Sequence, residues 1–87
     1  MITNNQFSLE GNDVIKLIEN ENESGSLEVI IKNNQQSIWV GGTEDVSNHD
    51  GFIIKAFETL KVTLSPGDAM YAYSIKNTRV HVLSTEV

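Results

Sequence analysis

An all-β fold, a small antiparallel β-sandwich or jelly-roll-like barrel of about seven to eight short strands, is what this sequence predicts. Three observations carry that expectation. Apolar residues recur with a period of two and not 3.6. The apolar runs are rich in the β-branched and aromatic residues that suit a half-buried pleated surface. Turn-forming residues interrupt them at intervals of about 8–12 residues.

Each element follows in chain order. Phe7 and Leu9 mark a short first strand, closed by a Gly11-Asn12-Asp13 turn. Residues 14–18 form the second, and residues 20–25 a polar loop with Glu21 and Glu23. In residues 27–32, Leu27, Val29 and Ile31 alternate with Glu28 and Lys32. A polar turn, Asn33-Asn34-Gln35-Gln36, separates this run from a strand over residues 37–40. Residues 52–55 add a short edge strand, and residues 55–60 admit a competing helical turn too short to change the fold class. Leu60, Val62 and Leu64 then alternate with Thr59, Lys61 and Thr63. Ser65-Pro66-Gly67-Asp68 places proline and glycine at the central positions of a type II turn. Residues 69–74 form a strand, Lys76-Asn77-Thr78 a turn, and Val80 and Val82 define the last strand against Arg79 and His81.

The 87 residues make one domain, residues 1–87, and Met1 reads as the start of an intact short gene product. The apolar fraction is 39% and no cysteine is present, so the small core has no disulfide or thiolate–zinc staple. A chain so placed is expected to complete its burial by oligomerising. The formal net charge is −6, and Lys16, Lys32, Lys55, Lys61, Lys76 and Arg79 are scattered singly. Without a basic stripe, neither nucleic acid nor an anionic membrane surface is an expected partner, whereas a basic protein surface is compatible. The first five residues lack the basic region and apolar run of a secretory signal, and no apolar stretch approaches the ~20 residues that span a bilayer.

Little in the chain resembles catalytic machinery. Residues 41–51 gather Glu44, Asp45, Asn48, His49 and Asp50, but not at the spacing of a calcium loop, and a zinc site would need His81 to join His49. Glu58 and Asp68 flank one strand, so they fall near its opposite ends. Ser47 and His49 lack the glycine flanks of a nucleophile elbow. Gly41-Gly42 and Gly67 lack the lysine and helix start of a phosphate loop. No enzyme activity, metal or cofactor is expected.

The aromatic residues leave three readings open. Trp39 points opposite to Ile38 and Val40, and Tyr71 and Tyr73 share the strand face opposite to Met70, Ala72 and Ser74. These rings either pack in the core, meet another protein, or stack on sugar rings. Trp39, Phe52, Phe57, Tyr71 and Tyr73 are the candidate interface residues.

Several segments form an ordered series: Ile38-Trp39-Val40-Gly41-Gly42, Val46-Ser47, Asp50-Gly51-Phe52, Glu58-Thr59-Leu60, Leu64-Ser65-Pro66-Gly67-Asp68-Ala69-Met70-Tyr71-Ala72 and Val80-His81-Val82-Leu83. The series resembles small β-rich structural proteins of tailed bacteriophages, of the head-decoration, head-fibre or capsid-associated type. It covers roughly the last 50 residues and is most specific over residues 66–72, with Met70 where the family usually has leucine. The stretch before Ser26 carries no part of it. The resemblance implies a non-enzymatic virion component assembled in the host cytoplasm. It also implies a compact β-sandwich forming a homotrimer on a capsid or other virion protein. A small carbohydrate-binding β-sandwich module is the alternative.

Overall fold

In the computed structural model, which describes residues 2–86, the chain is built from strands alone. They are β1 (Ile2–Leu9), β2 (Val14–Glu19), β3 (Leu27–Asn33), β4 (Ile38–Gly41), β5 (Phe52–Ile54), β6 (Thr59–Leu64), β7 (Ala69–Tyr73) and β8 (Thr78–Glu86). Two four-stranded sheets result, in the orders β1-β8-β3-β6 and β2-β7-β4-β5, with every pairing antiparallel. Apart from the β4–β5 hairpin, successive strands pass from one sheet to the other, which is the winding of a jelly roll. The all-β expectation and its strand number are therefore met.

Alternation puts the core between the sheets. Leu27, Val29 and Ile31 of β3 and Val80 and Val82 of β8 face Leu17, Ile38, Val40, Met70 and Ala72 of the other sheet, all buried. Phe7, Ile15, Ile18, Leu60 and Val62 pack around this cluster, half-buried. At ~25 cal/mol per Å² of apolar area, this burial is the main term opposing chain entropy.

Two buried asparagines tie the ends of the sandwich. Asn33, fully buried at the end of β3, donates from Nδ2 to the carbonyls of Ile54 (3.0 Å) and Gln36, while Oδ1 accepts from the Gln35 N–H (3.3 Å). Its backbone N–H donates to the Glu58 carbonyl (3.1 Å), and its own carbonyl accepts from the Phe57 N–H (2.8 Å). Asn20 does the same at the other end, donating from Nδ2 to the carbonyls of Gly25 (3.1 Å) and Leu64 (3.0 Å). Asn33 joins β3 to β5 of the other sheet, and Asn20 joins the β2–β3 connection to β6; their burial is compensated by these bonds.

Three local expectations change. The first strand is long, beginning at Ile2, because β8 supplies a partner for all eight of its residues. The competing helical turn over residues 55–60 is absent. Phe57 there has φ of 66° and β6 begins at Thr59, so the segment is a tight turn between strands. Asn33 lies inside β3 and not in the turn that follows. The turn around Pro66 keeps its expected form: Gly67 has φ of 88° and the Asp68 N–H donates to the Ser65 carbonyl at 3.0 Å.

Candidate functional site

The outer face of the β2-β7-β4-β5 sheet carries an apolar row. On β4 the inward side chains Ile38 and Val40 are buried, so Trp39 between them points outward and is half-buried. On β7, Met70 and Ala72 are buried, which turns Tyr71 and Tyr73 to the same outer face. Cross-strand register lines them up: Val14 opposes Tyr73, Tyr73 opposes Trp39, and Trp39 opposes Ile53. One row thus crosses all four strands. Directly opposed side chains in an antiparallel sheet stand about 5 Å apart, close enough to pack. The Trp39 and Tyr73 rings pack at 6.2 Å between centroids, with their planes tilted by 53°.

Backbone and loop contacts hold these rings in place. The Tyr73 hydroxyl donates to Asn12 Oδ1 at 3.0 Å. Asn12 sits in the β1–β2 turn with φ of 69°, a conformation asparagine tolerates, and its N–H donates to the Ser74 carbonyl at 2.7 Å. On the other side of Trp39, the connection of residues 42–51 folds back over the sheet. Its Val46 is buried beside Gly41 and Gly51. A side chain at Gly51 would meet Val46 Cγ2 at 2.8 Å, the Ser47 carbonyl oxygen at 2.9 Å and Trp39 Cβ at 3.0 Å, so only glycine lets this loop seat against the tryptophan. Ile75, 45% exposed in the β7–β8 turn, lines a shallow hollow with Trp39, Gln36, Ser37 and Lys76.

Of the five aromatic residues singled out in the sequence, the structure brings Trp39, Tyr71 and Tyr73 together. Phe52 and Phe57 lie elsewhere. Phe52 opposes Val40 on the inward side of β5, yet is 63% exposed at the open seam between β5 and β6. Phe57 is 74% exposed at the tip of the β5–β6 turn. The sequence reading passed over Val14, Ile53 and Ile75, which extend the patch. For Val14 and Ile53 the signal was present, since each alternates with an inward aliphatic neighbour.

Most charged groups lie away from this face. Lys16, opposite Tyr71, and Glu19, opposite Ala69, lie on it, and Lys76 lines the hollow beside Trp39. Lys16 donates to Glu19 at 2.9 Å, and that carboxylate, by hydrogen bond and charge, raises the lysine above its ordinary value. Glu21, Glu23, Glu44, Asp45, Asp50 and Asp68 all belong to connections at one end of the sandwich, which contain no lysine or arginine. His49 lies in the β4–β5 connection and His81 on the outer face of β8, in the opposite sheet, so the two do not converge. Among the described residues no three histidine, cysteine, aspartate or glutamate side chains gather as a metal site. No described helix is long and apolar enough to cross a membrane.

No protein family and no curated relative matches the sequence. Solved structures match the fold. An ethanolamine utilization protein Q of Salmonella typhimurium superposes with a TM-score of 0.62 at 11% identity, covering 95% of this chain and 56% of its own. A cupin-2 domain containing protein of Shewanella frigidimarina superposes with a TM-score of 0.58 at 6% identity, covering 94% of this chain and 68% of its own. This chain thus spans little more than half the length of the Salmonella protein. At these identities the likeness is one of fold: the chain is an eight-stranded, cupin-like jelly roll.

Proposed function

We propose that this chain is a non-enzymatic structural protein of a bacteriophage virion, decorating or attached to the capsid as a homo-oligomer. In this reading it docks through the outer face of the β2-β7-β4-β5 sheet. The observation that carries the reading is the row Val14, Tyr73, Trp39 and Ile53, presented to solvent over a core already filled by aliphatic side chains. Tryptophan and tyrosine dominate the energetics of protein contacts because they bury large rigid areas at little entropic cost. A face this small binds weakly per copy, and a lattice of repeated sites turns weak binding into stable attachment. The acidic loops at one end suit a basic partner surface. The resemblance of residues 37–83 to phage structural proteins supplies the virion context.

The test is to purify particles from the host that encodes the chain and quantify it by mass spectrometry. The reading expects many copies per particle, lost on Trp39→Ala. A chain that stays in the soluble fraction while particles form without it contradicts the reading.

A carbohydrate-binding module is the second reading, favoured by the Trp39–Tyr73 pair beside a shallow hollow lined with Gln36, Ser37 and Lys76. A glycan array reporting binding that Trp39→Ala abolishes, with no particle association, decides for it.

A further inference from the structure

The two sheets end in four edge strands, β1, β6, β2 and β5, and three of these are guarded. An edge strand offers a free row of N–H and C=O groups to any other strand, and proteins blunt such edges with charge, irregularity or shortness. β5 is only three residues long. β2 carries Lys16 and Glu19 and breaks its register between Lys16 and Ile18. β6 carries Lys61 near its centre. β1 has none of these devices. It runs for eight residues, its register with β8 is unbroken from Ile2 to Leu9, and it holds no charged residue and no proline. Its first five residues, Ile2 to Gln6, are all exposed, so this half of the strand is bare on both faces as well as along its edge.

We propose that the free edge of β1 pairs with β1 of a second copy, antiparallel about a two-fold axis, joining two four-stranded sheets into one of eight strands. A strand paired antiparallel with its own copy is self-complementary by symmetry, so no second surface has to evolve. Charge favours the second copy along this strip. Chains of net charge −6 repel, and β1 is a neutral strip on a molecule whose acidic groups crowd the loops at one end. Asn4, Asn5 and Gln6 at its centre carry amides that both donate and accept, so with Asn5 on the axis it meets its own copy while Asn4 and Gln6 meet each other across it. The contact lies on the sheet opposite to the aromatic row and does not depend on the docking reading. The assembly is a dimer where the phage resemblance implies a trimer, and the measured mass separates them.

Light scattering of the purified chain is expected to give twice the 9.7 kDa chain mass. Asn5→Lys sets like charges across the axis and is expected to yield a monomer with an unchanged circular dichroism spectrum. Should that variant fail to fold, cross-linking decides the matter. The chain has no cysteine, so a single cysteine placed in turn at Asn4, Asn5 and Gln6 reports on self-pairing without background. The position at the axis is expected to oxidise to a disulfide dimer under native conditions, because opposed antiparallel residues fall within disulfide reach. Thr63→Cys on the guarded β6 is expected to form no disulfide dimer in the same assay. A wild-type monomer or trimer, a dimer untouched by Asn5→Lys, or equal cross-linking at Thr63 overturns the proposal. A dimer that forms only with a strand of another protein overturns it as well. Asn5→Lys tests this pairing and Trp39→Ala tests the docking face, so the two fail separately.

Discussion

The two outer faces of the sandwich are built from the same alternation and end with opposite characters. Outside β2-β7-β4-β5 stand Val14, Tyr73, Trp39 and Ile53 in one row. Outside β1-β8-β3-β6, Ile30 and Leu83 oppose each other within a polar field of Glu28, Lys32, Lys61, Arg79 and His81, with Lys61 and Glu28 paired at 2.8 Å. Both sheets contribute their inner faces to the core, so stability does not require this asymmetry. On the proposed reading, a half-buried aromatic row on an outer face is the contact surface, whereas a charged face serves solubility.

Substitutions within one strand break this comparison most sharply. Ile38→Ala removes a fully buried aliphatic chain and is expected to cost about 3–4 kcal/mol in urea unfolding. Its neighbour Trp39 points the other way and is only half-buried, so Trp39→Ala is expected to cost less, about 1–2 kcal/mol in stability, while removing docking. Equal stability losses at the two positions would mean the tryptophan is a core residue.

Asn33→Ala comes next. It leaves the Ile54 carbonyl and the Gln35 N–H without their partner, an expected loss of about 2–3 kcal/mol seen as a lower urea midpoint. Tyr73→Phe deletes only the bond to Asn12 and should cost about 0.5–1 kcal/mol, reporting whether that bond orders the aromatic row. Lys32→Ala, on the polar face, is expected to stay within about 0.5 kcal/mol of wild type. Smallest of all is the exposed Lys16–Glu19 pair. Because the lysine is raised, any contribution is complete at neutral pH and fades only as pH climbs above the ordinary lysine value of 10.5. Because the pair is solvent-exposed that contribution is small, so Glu19→Gln should leave the melting temperature at pH 7 nearly unchanged.

These residues also show how far the sequence could be read. Strands with one buried face were legible because burial imposes the period of two, as at Leu27, Val29 and Ile31. β1 was largely missed for the same reason: with Ile2 to Gln6 exposed throughout, nothing forces an alternation. The turn at Pro66-Gly67 was legible because positive φ demands glycine, whereas Phe57 adopts φ of 66° without that signal. The burial of Asn20 and Asn33 was hidden, since asparagine in a polar run reads as a turn residue until its long-range partners are known. Of the site, sequence spacing grouped the two tyrosines. It left the direction of Trp39 open, because one strand does not reveal which of its faces meets the other sheet. Register then added Val14 and Ile53, which no local pattern connects to Trp39.

The measurement that bears most directly on docking through the aromatic face is co-sedimentation of wild type, Trp39→Ala and Lys32→Ala with purified particles, each variant first shown to be folded. The account predicts at least a ~30-fold loss of affinity for Trp39→Ala, about 2 kcal/mol, and wild-type binding for Lys32→Ala. Binding that survives Trp39→Ala but fails on Lys32→Ala would place the contact on the opposite sheet and contradict it.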